Sequence, residues 1–322
     1  MTHLTKQRFI LITRATRLQA LVSRFNTWSQ AQFYLEHSQT GGKQISVQDY
    51  LDEHNTYLRC IQNAELTLRN LGRFGKIERE FLPNFKFSNN DIVVVIGQDG
   101  LVANTLKYLQ GQAVIAINPD PNRWDGKLLP FEINDLANIA KKVSLNKADD
   151  KTITFAQAST NDGQTLLAVN DLFVGPKSHT SASYTLHWGK HSEQQSSSGI
   201  IISTGFGSTG WLKSILTGAM GVTGYTLDTY TLDKNKHQLQ QGFAWDDKRL
   251  QFAVREPFPS KTTGADHVFG GITERKHLSI ESHMPEHGII FSDGIEQDYI
   301  NFNSGCVVSI SVAKIQGRLV LG

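Results

Sequence analysis

The chain is poor in cysteine, in long apolar runs and in net charge, and each shortage closes off a class of function. Cys60 and Cys306 are its only cysteines. Two thiols so far apart make neither a disulfide framework nor a zinc-ligand spacing, and they suit a reducing, cytoplasmic compartment. The net charge is +2, from 32 Lys and Arg against 30 Asp and Glu. No bulk field therefore draws the chain to nucleic acid or to an anionic membrane. No apolar run approaches the roughly 18 residues that a spanning helix requires. The first 35 positions hold no Asp or Glu but do hold Lys6, Arg8, Arg14, Arg17 and Arg24. Such a start has the composition of an organelle transit peptide. Yet Arg8-Phe9-Ile10-Leu11-Ile12-Thr13 reads as a first strand with a helix pattern directly behind it, and the folded reading is the stronger. A secretory leader is not expected, because the apolar stretch is only a few residues long.

What is present is an ordinary globular balance: 322 residues, 39% hydrophobic and 19% charged, enough for one or two domains with a sizeable core. Leu18, Leu21, Val22 and Phe25 recur at helical spacing. Tyr50, Leu51, Tyr57, Leu58, Ile61, Leu66 and Leu68 predict a helix over 48–71 that ends near Gly72. Ile92 to Ile96 and Ala113 to Ile117 lack polar alternation, as central parallel strands do, and Leu101 to Leu109 reads as a helix between them. After about residue 136 the texture changes to short β-branched segments separated by turn residues: 151–156, 165–174, 183–188, 199–203, 250–254, 277–281, 288–292 and 306–312. The expected architecture is an α/β domain with a Rossmann-like parallel sheet over 1–136. A β-rich, β-sandwich domain is expected over 137–322, with the last residues packing back on the first domain. Tyr225 to Gln241 is polar and reads as an exposed insertion. Trp28, Phe33, Tyr34 and Leu35 read as core or subunit contact.

Three elements carry chemistry. Val93-Val94-Val95-Ile96 runs into Gly97-Gln98-Asp99-Gly100, which sets a carboxylate on a tight turn at a strand end, where α/β sheets bind ligands. An aspartate there can take a proton from a hydroxyl or hold a ribose diol; a plain Asp-Gly turn is the alternative. Leu166 to Val174 is an apolar strand interrupted by Asn170-Asp171, and such polar residues need partners or a ligand; a β-bulge is the alternative. Gly199-Ile200-Ile201-Ile202-Ser203 leads into Thr204-Gly205-Phe206-Gly207-Ser208-Thr209-Gly210-Trp211. Open glycine amides in that loop would form an anion-binding concavity. A helix starting near Thr209 and Gly210 and running through Trp211, Leu212, Ser214 and Ile215 would favour phosphate at its N-terminus. Gly205-x-Gly207-x-x-Gly210 is not a dinucleotide fingerprint in this β-rich setting, and no Walker loop is present.

In this order the three elements resemble the NAD kinase family, whose members carry Gly-Gly-Asp-Gly, Asn-Glu or Asn-Asp, and Thr-x-x-Gly-Ser-Thr-Ala-Tyr. The mitochondrial-type branch is the nearest in pattern. Its further motifs are matched by Asn118, Asp120, Pro121, Arg123, Gly126 and Leu128, by Ser197-Ser198-Gly199, by Arg255-Glu256-Pro257 and by Asp293-Gly294. The likeness covers about 88 to 312; the first 80 residues carry no matching motif. The resemblance implies a nucleotide site between an α/β and a β-rich domain. It implies transfer of the ATP γ-phosphoryl to the adenosine ribose 2′-hydroxyl of NAD or NADH, giving NADP or NADPH. Asp99 would be the general base. Gly97 and Gly100 would admit the phosphates. Asn170 and Asp171 would hold adenine and ribose. Gly205, Gly207, Ser208, Thr209, Gly210, Trp211 and Ser214 would line the nucleotide pocket, with Asn118 in the same binding set. Mg²⁺ would ride on the ATP phosphates without a protein cage, and a homodimer or higher assembly is implied. Two positions depart from the family loop: Gln98 replaces its second glycine, and Leu101 the following threonine. Gln98 would be strained if its φ were positive, and Leu101 offers no hydroxyl to phosphate.

Two other functions remain open on the residues themselves: a non-catalytic NAD(H)-binding protein, and a lipid or sugar kinase on the same scaffold. His187 with His191, and His283 with His287, are four apart, but Gly189 and Pro285 interrupt them, so no helical zinc site is expected. Arg14, Arg17 and Arg24 read as a solvated helix face or as phosphate-reaching cations. Asp120 and Asp125 beside Arg123 read equally as a substrate-positioning group or a salt-bridged loop.

Overall fold

The computed structural model describes residues 7–37, 39–40, 43–44, 46–126, 128–226 and 241–322. The chain divides into two compact units, Met1–Asp150 with Arg318–Gly322, and Lys151–Gly317.

The first unit contains β1 (Arg8–Thr13), α1 (Arg17–Phe25), α2 (Trp28–His37), the short strands β2 (Gln39–Thr40) and β3 (Lys43–Gln44), α3 (Val47–Leu71), β4 (Arg73–Glu78), β5 (Asp91–Ile96), α4 (Asp99–Leu106), β6 (Ala113–Ile117) and α5 (Leu136–Ser144). The four longer strands pair in parallel in the order β6-β5-β1-β4. β5 and β6 are buried at every residue, which accounts for their unbroken apolar sequence. A capping box at Thr16 and Gln19 starts α1. Ser46 accepts from the Asp49 amide at the start of α3, and the Gly72 amide closes its end on Leu68. α3 and α5 place Tyr57, Ile61, Ala64, Leu68, Leu136, Ile139, Ala140 and Val143 in one core with Phe9, Leu11, Val94 and Ile115. That packing explains why the division falls at Asp150, after α5, and not at 136: the amphipathic helix belongs to the parallel sheet. In α2, Leu35 is core, whereas Trp28, Phe33 and Tyr34 are exposed.

The second unit contains β7 (Asp150–Thr160), β8 (Thr165–Ala168), β9 (Asp171–Pro176), β10 (Ala182–Trp188), β11 (His191–Ser197), β12 (Ile200–Ser203), α6 (Trp211–Thr226), β13 (Leu250–Val254), β14 (Phe269–Ile272), β15 (Leu278–Ser282), β16 (Gly288–Ser292), β17 (Ile295–Asn301) and β18 (Val307–Val320). One antiparallel sheet has the order β14-β13-β12-β9-β16-β17; β11-β10-β15-β18, with β7 and β8, forms the other layer. Alternate residues from both, among them Leu172, Val174, Ile200, Ile202, Phe252 and Ile290 from one and Tyr184, Leu186, Leu278, Ile280 and Val308 from the other, fill a single core. This is the β-rich sandwich that the short β-branched segments and their turns implied. The end of β18 returns to the first unit, where Arg318 and Leu319 pair in parallel with Ala113 and Val114. The expected insertion over Tyr225–Gln241 lies, from 227 to 240, outside the described residues. Among the described residues no helix is long and apolar enough to cross a membrane.

Candidate functional site

Asp99 is the first residue of α4, directly after the buried β5. Its Oδ1 accepts from the Leu128 amide at 3.0 Å, so a loop after β6 fixes the direction of the carboxylate. Gln98 precedes it with φ −121° and ψ 164°. This is ordinary extended backbone, and the strain anticipated for a positive φ does not arise. Gly97 is needed for another reason: a Cβ there would lie 2.8 Å from Leu101 Cδ2. Leu101 is 4% exposed, so its side chain serves packing. Gly100 is the opposite case. It is exposed, and nothing lies within 4 Å of where its Cβ would be.

Asn118 is buried and its side chain is spent within its own loop. Its Nδ2 donates to the Trp124 carbonyl at 2.9 Å and its Oδ1 accepts from the Asp120 amide at 3.1 Å. Gly126, at φ +56°, leaves the room that this requires, since a Cβ there would meet Asn118 Nδ2 at 2.6 Å. Asn118 therefore shapes the loop that holds Asp99. Arg14 and Arg17 are not a solvated face. Both are paired with Glu53, which burial pushes up but the two guanidiniums hold below the ordinary glutamate value. Arg123 is paired with Asp49 and Asp120.

In the second unit the apolar run 165–174 breaks at Val169-Asn170 into β8 and β9. The break is built from main-chain bonds. The Asp293 carboxylate accepts from the amides of Val169 (3.1 Å) and Asn170 (2.6 Å), and the Asp293 amide returns to the Asp171 carbonyl at 3.0 Å. Asp293 adopts φ +55°, followed by Gly294 at +70°. From the other side, Thr204 Oγ1 donates to the Val169 carbonyl at 2.6 Å and the Thr204 amide to Asn170 at 2.9 Å. With its main chain so held, Asn170 has a side-chain amide that makes no hydrogen bond among the described residues. Asp171 is 8% exposed; its carboxyl likewise has no hydrogen-bond partner among them. Burial, and then the Asp293 charge, push that carboxyl up to about 7. A buried acid left this way is costly unless a ligand completes it.

The Gly/Ser/Thr loop has a closed half and an open half. Gly205, Gly207 and Ser208 are buried. A Cβ on Gly205 would lie 1.8 Å from the Ala244 carbonyl oxygen, and one on Gly207 would lie 2.1 Å from that of Asn170. The Gly207 amide donates to Thr204 Oγ1 at 3.1 Å, and Ser208 Oγ is bonded to the Gly205 carbonyl (2.6 Å) and the Phe243 amide (3.1 Å). The amides of Gly207, Ser208 and Gly210 are bonded within the loop, and Gly205 and Gly207 admit neighbouring backbone. Thr209 and Gly210 are exposed at the start of α6. Trp211 stacks on Phe173, with centroids 5.9 Å apart and planes 9° apart, and lies near Phe291. The Arg255 guanidinium sits over its ring at 5.5 Å. Ser214 is exposed and donates back to the Gly210 carbonyl at 3.4 Å. Asp293, Phe173 and Phe291 were not singled out as site residues. The Asp293-Gly294 turn was the one local signal of this clasp, and the aromatic pair reads in sequence as plain core.

No sequence-family model and no curated protein matches this chain. Solved structures do. An NAD kinase from Archaeoglobus fulgidus in complex with ATP aligns with a TM-score of 0.54 at 14% identity, over 97% of this chain and 92% of that one. Yeast NADH kinase complexed with NADH aligns with a TM-score of 0.56 at 12% identity, over 98% of this chain and 84% of that one. At such identities the likeness speaks for architecture: this chain has the fold of the NAD and NADH kinases.

Proposed function

We propose that the chain is an ATP-dependent NAD(H) kinase, moving the γ-phosphoryl of ATP to the adenosine ribose 2′-hydroxyl of NAD or NADH. The observation that carries this reading is Asp99: a carboxylate on the first turn of a helix, aimed by a backbone amide and beside an exposed glycine with open space around it. It accepts the hydroxyl proton as the oxygen attacks phosphorus and ADP departs. Such a base contributes about 10²–10⁴-fold, the rest coming from positioning and charge neutralisation. The unbonded Asn170 amide and the unpartnered Asp171 carboxyl suit the hydroxyls and amino group of adenosine. Trp211, Thr209, Gly210 and Ser214 complete that binding set. In this reading Mg²⁺ enters on the ATP phosphates. Cytoplasmic residence and a homodimer or higher assembly belong to the same reading.

Leu101 favours a second reading, a nucleotide-binding protein without turnover, because a buried leucine stands where the loop of the resembled family carries a threonine hydroxyl. Thermal shifts separate the two. The kinase is expected to be stabilised both by NAD or NADH and by ATP with Mg²⁺. Stabilisation by NAD or NADH alone supports the second reading.

A further inference from the structure

We propose that one stripe of α3, Asp49, Glu53 and Tyr57, is the positioning apparatus for Asp99, in a region that carries no recognisable motif. The inference rests on Asp99 being the base of the proposed reaction. The three residues are four apart and so share one helix face. Tyr57 is buried, and its hydroxyl donates to the Ile96 carbonyl at 2.9 Å while accepting the Arg14 amide at 2.9 Å. This pins the end of β5, one residue before Gly97. Glu53 takes Arg14 Nη2 at 3.0 Å and Arg17 Nε at 2.6 Å. Asp49 bridges two segments, with Arg17 Nη2 at 2.8 Å on one oxygen and Arg123 Nη2 at 2.7 Å on the other. Arg123 belongs to the loop in which Asn118 binds Trp124 and Asp120, and the same loop supplies the Leu128 amide to Asp99. The stripe therefore grips both flanks of the carboxylate: the strand that delivers it and the loop that aims it. Neither Asp49 nor Arg123 touches Asp99, so both are positioning residues.

The test uses Asp49→Asn, Arg123→Gln, Arg123→Lys and the double variant. The control is Lys76→Gln, which breaks a separate ion pair between α3 and β4. Misplacing a reacting group by an ångström costs up to about 100-fold, so loosening its support is expected to lower kcat about tenfold. KM for NAD is expected to hold within about twofold, because groups that move only the transition state leave ground-state binding alone. Arg123→Lys should recover part of the loss. The double variant should be no worse than the poorer single one, as for two ends of one contact. Unchanged kcat in Asp49→Asn, or a loss that appears only in KM, would overturn the proposal. If the unaltered protein forms no NADP(H), the kinase reading fails separately. Hydrogen exchange at the Leu128 amide then decides the structural claim: about tenfold faster exchange in Asp49→Asn than in Lys76→Gln supports the latch, and equal exchange overturns it.

Discussion

Gly100 separates ligand space from packing space at the level of a single atom. A methyl group there meets nothing within 4 Å, and alanine for glycine within a helix gains about 0.5–1 kcal/mol. Gly100→Ala is therefore expected to keep or raise the melting temperature while lowering turnover; equal turnover would mean that the space beside Asp99 is not used. Asp171 gives the matching electrostatic case. Burial, and then the Asp293 charge, push its carboxyl from the ordinary 3.8 up to about 7, so folding takes up a proton between these limits and stability falls as pH rises through them. Asp171→Asn removes that cost. It should be more stable than the native chain by on the order of 2–4 kcal/mol at pH 8, equal to it near pH 3, and weaker in nucleotide binding. A denaturant series at the two pH values checks this, and a stability difference independent of pH would contradict it. Cys60, buried and pushed up to about 12, should resist alkylation at pH 8 in the folded protein. The sequence pointed to Asp99, Asn170 and Asp171 because a carboxylate at a strand end and a polar pair inside an apolar run are local anomalies. It could not show that Gln98 keeps extended backbone, since neighbouring loops set that angle.

Elements were legible where one periodicity ran its course. β5, β6 and α3 announce themselves by burial on every residue or on a single helix face. β11 did not, because His191–Ser197 is almost wholly polar and sits at a sheet edge. It pairs with β10 through main chain, and its inward Gln195 and Ser197 satisfy the buried Tyr184 hydroxyl at 3.0 and 2.8 Å. α5 is short and follows a change in composition, so the β-rich pattern extends over it in sequence. The glycine loop before α6 carries the composition of an open nest, whereas the backbone packed against its glycines comes from Asn170 and Ala244, both distant in sequence. Gly205→Ala and Gly207→Ala should each cost about 3 kcal/mol or more through overpacking, in contrast to Gly100→Ala. The same melting experiment distinguishes them, and a neutral Gly207→Ala would refute the packing role. Glu53 sits under two arginines at 3% side-chain exposure. Glu53→Gln is expected to destabilise the first unit by about 3 kcal/mol at neutral pH, with the gap closing as pH falls below the ordinary glutamate range, because its lowered pKa contributes stability only while it is ionised.

At the scale of the whole molecule, architecture and chemistry rest on different amounts of sequence. An α/β unit and a β sandwich follow from patterning spread over hundreds of positions, and the fold stays recognisable at 12–14% identity. The proposed reaction rests on a few side chains, of which Asp99 is the one to which the proposal assigns chemistry. The division at Asp150 depends on which core each segment fills, a fact of packing that composition does not encode. The most direct measurement is NADP or NADPH formation by the purified protein with NAD or NADH, ATP and Mg²⁺, beside Asp99→Asn. The expected result is product from the native protein, at least about 100-fold less from the variant, and nucleotide binding retained in both. Equal product from Asp99→Asn, or none from the native protein while NAD still raises its melting temperature, would contradict the assignment of Asp99 as the base of a kinase.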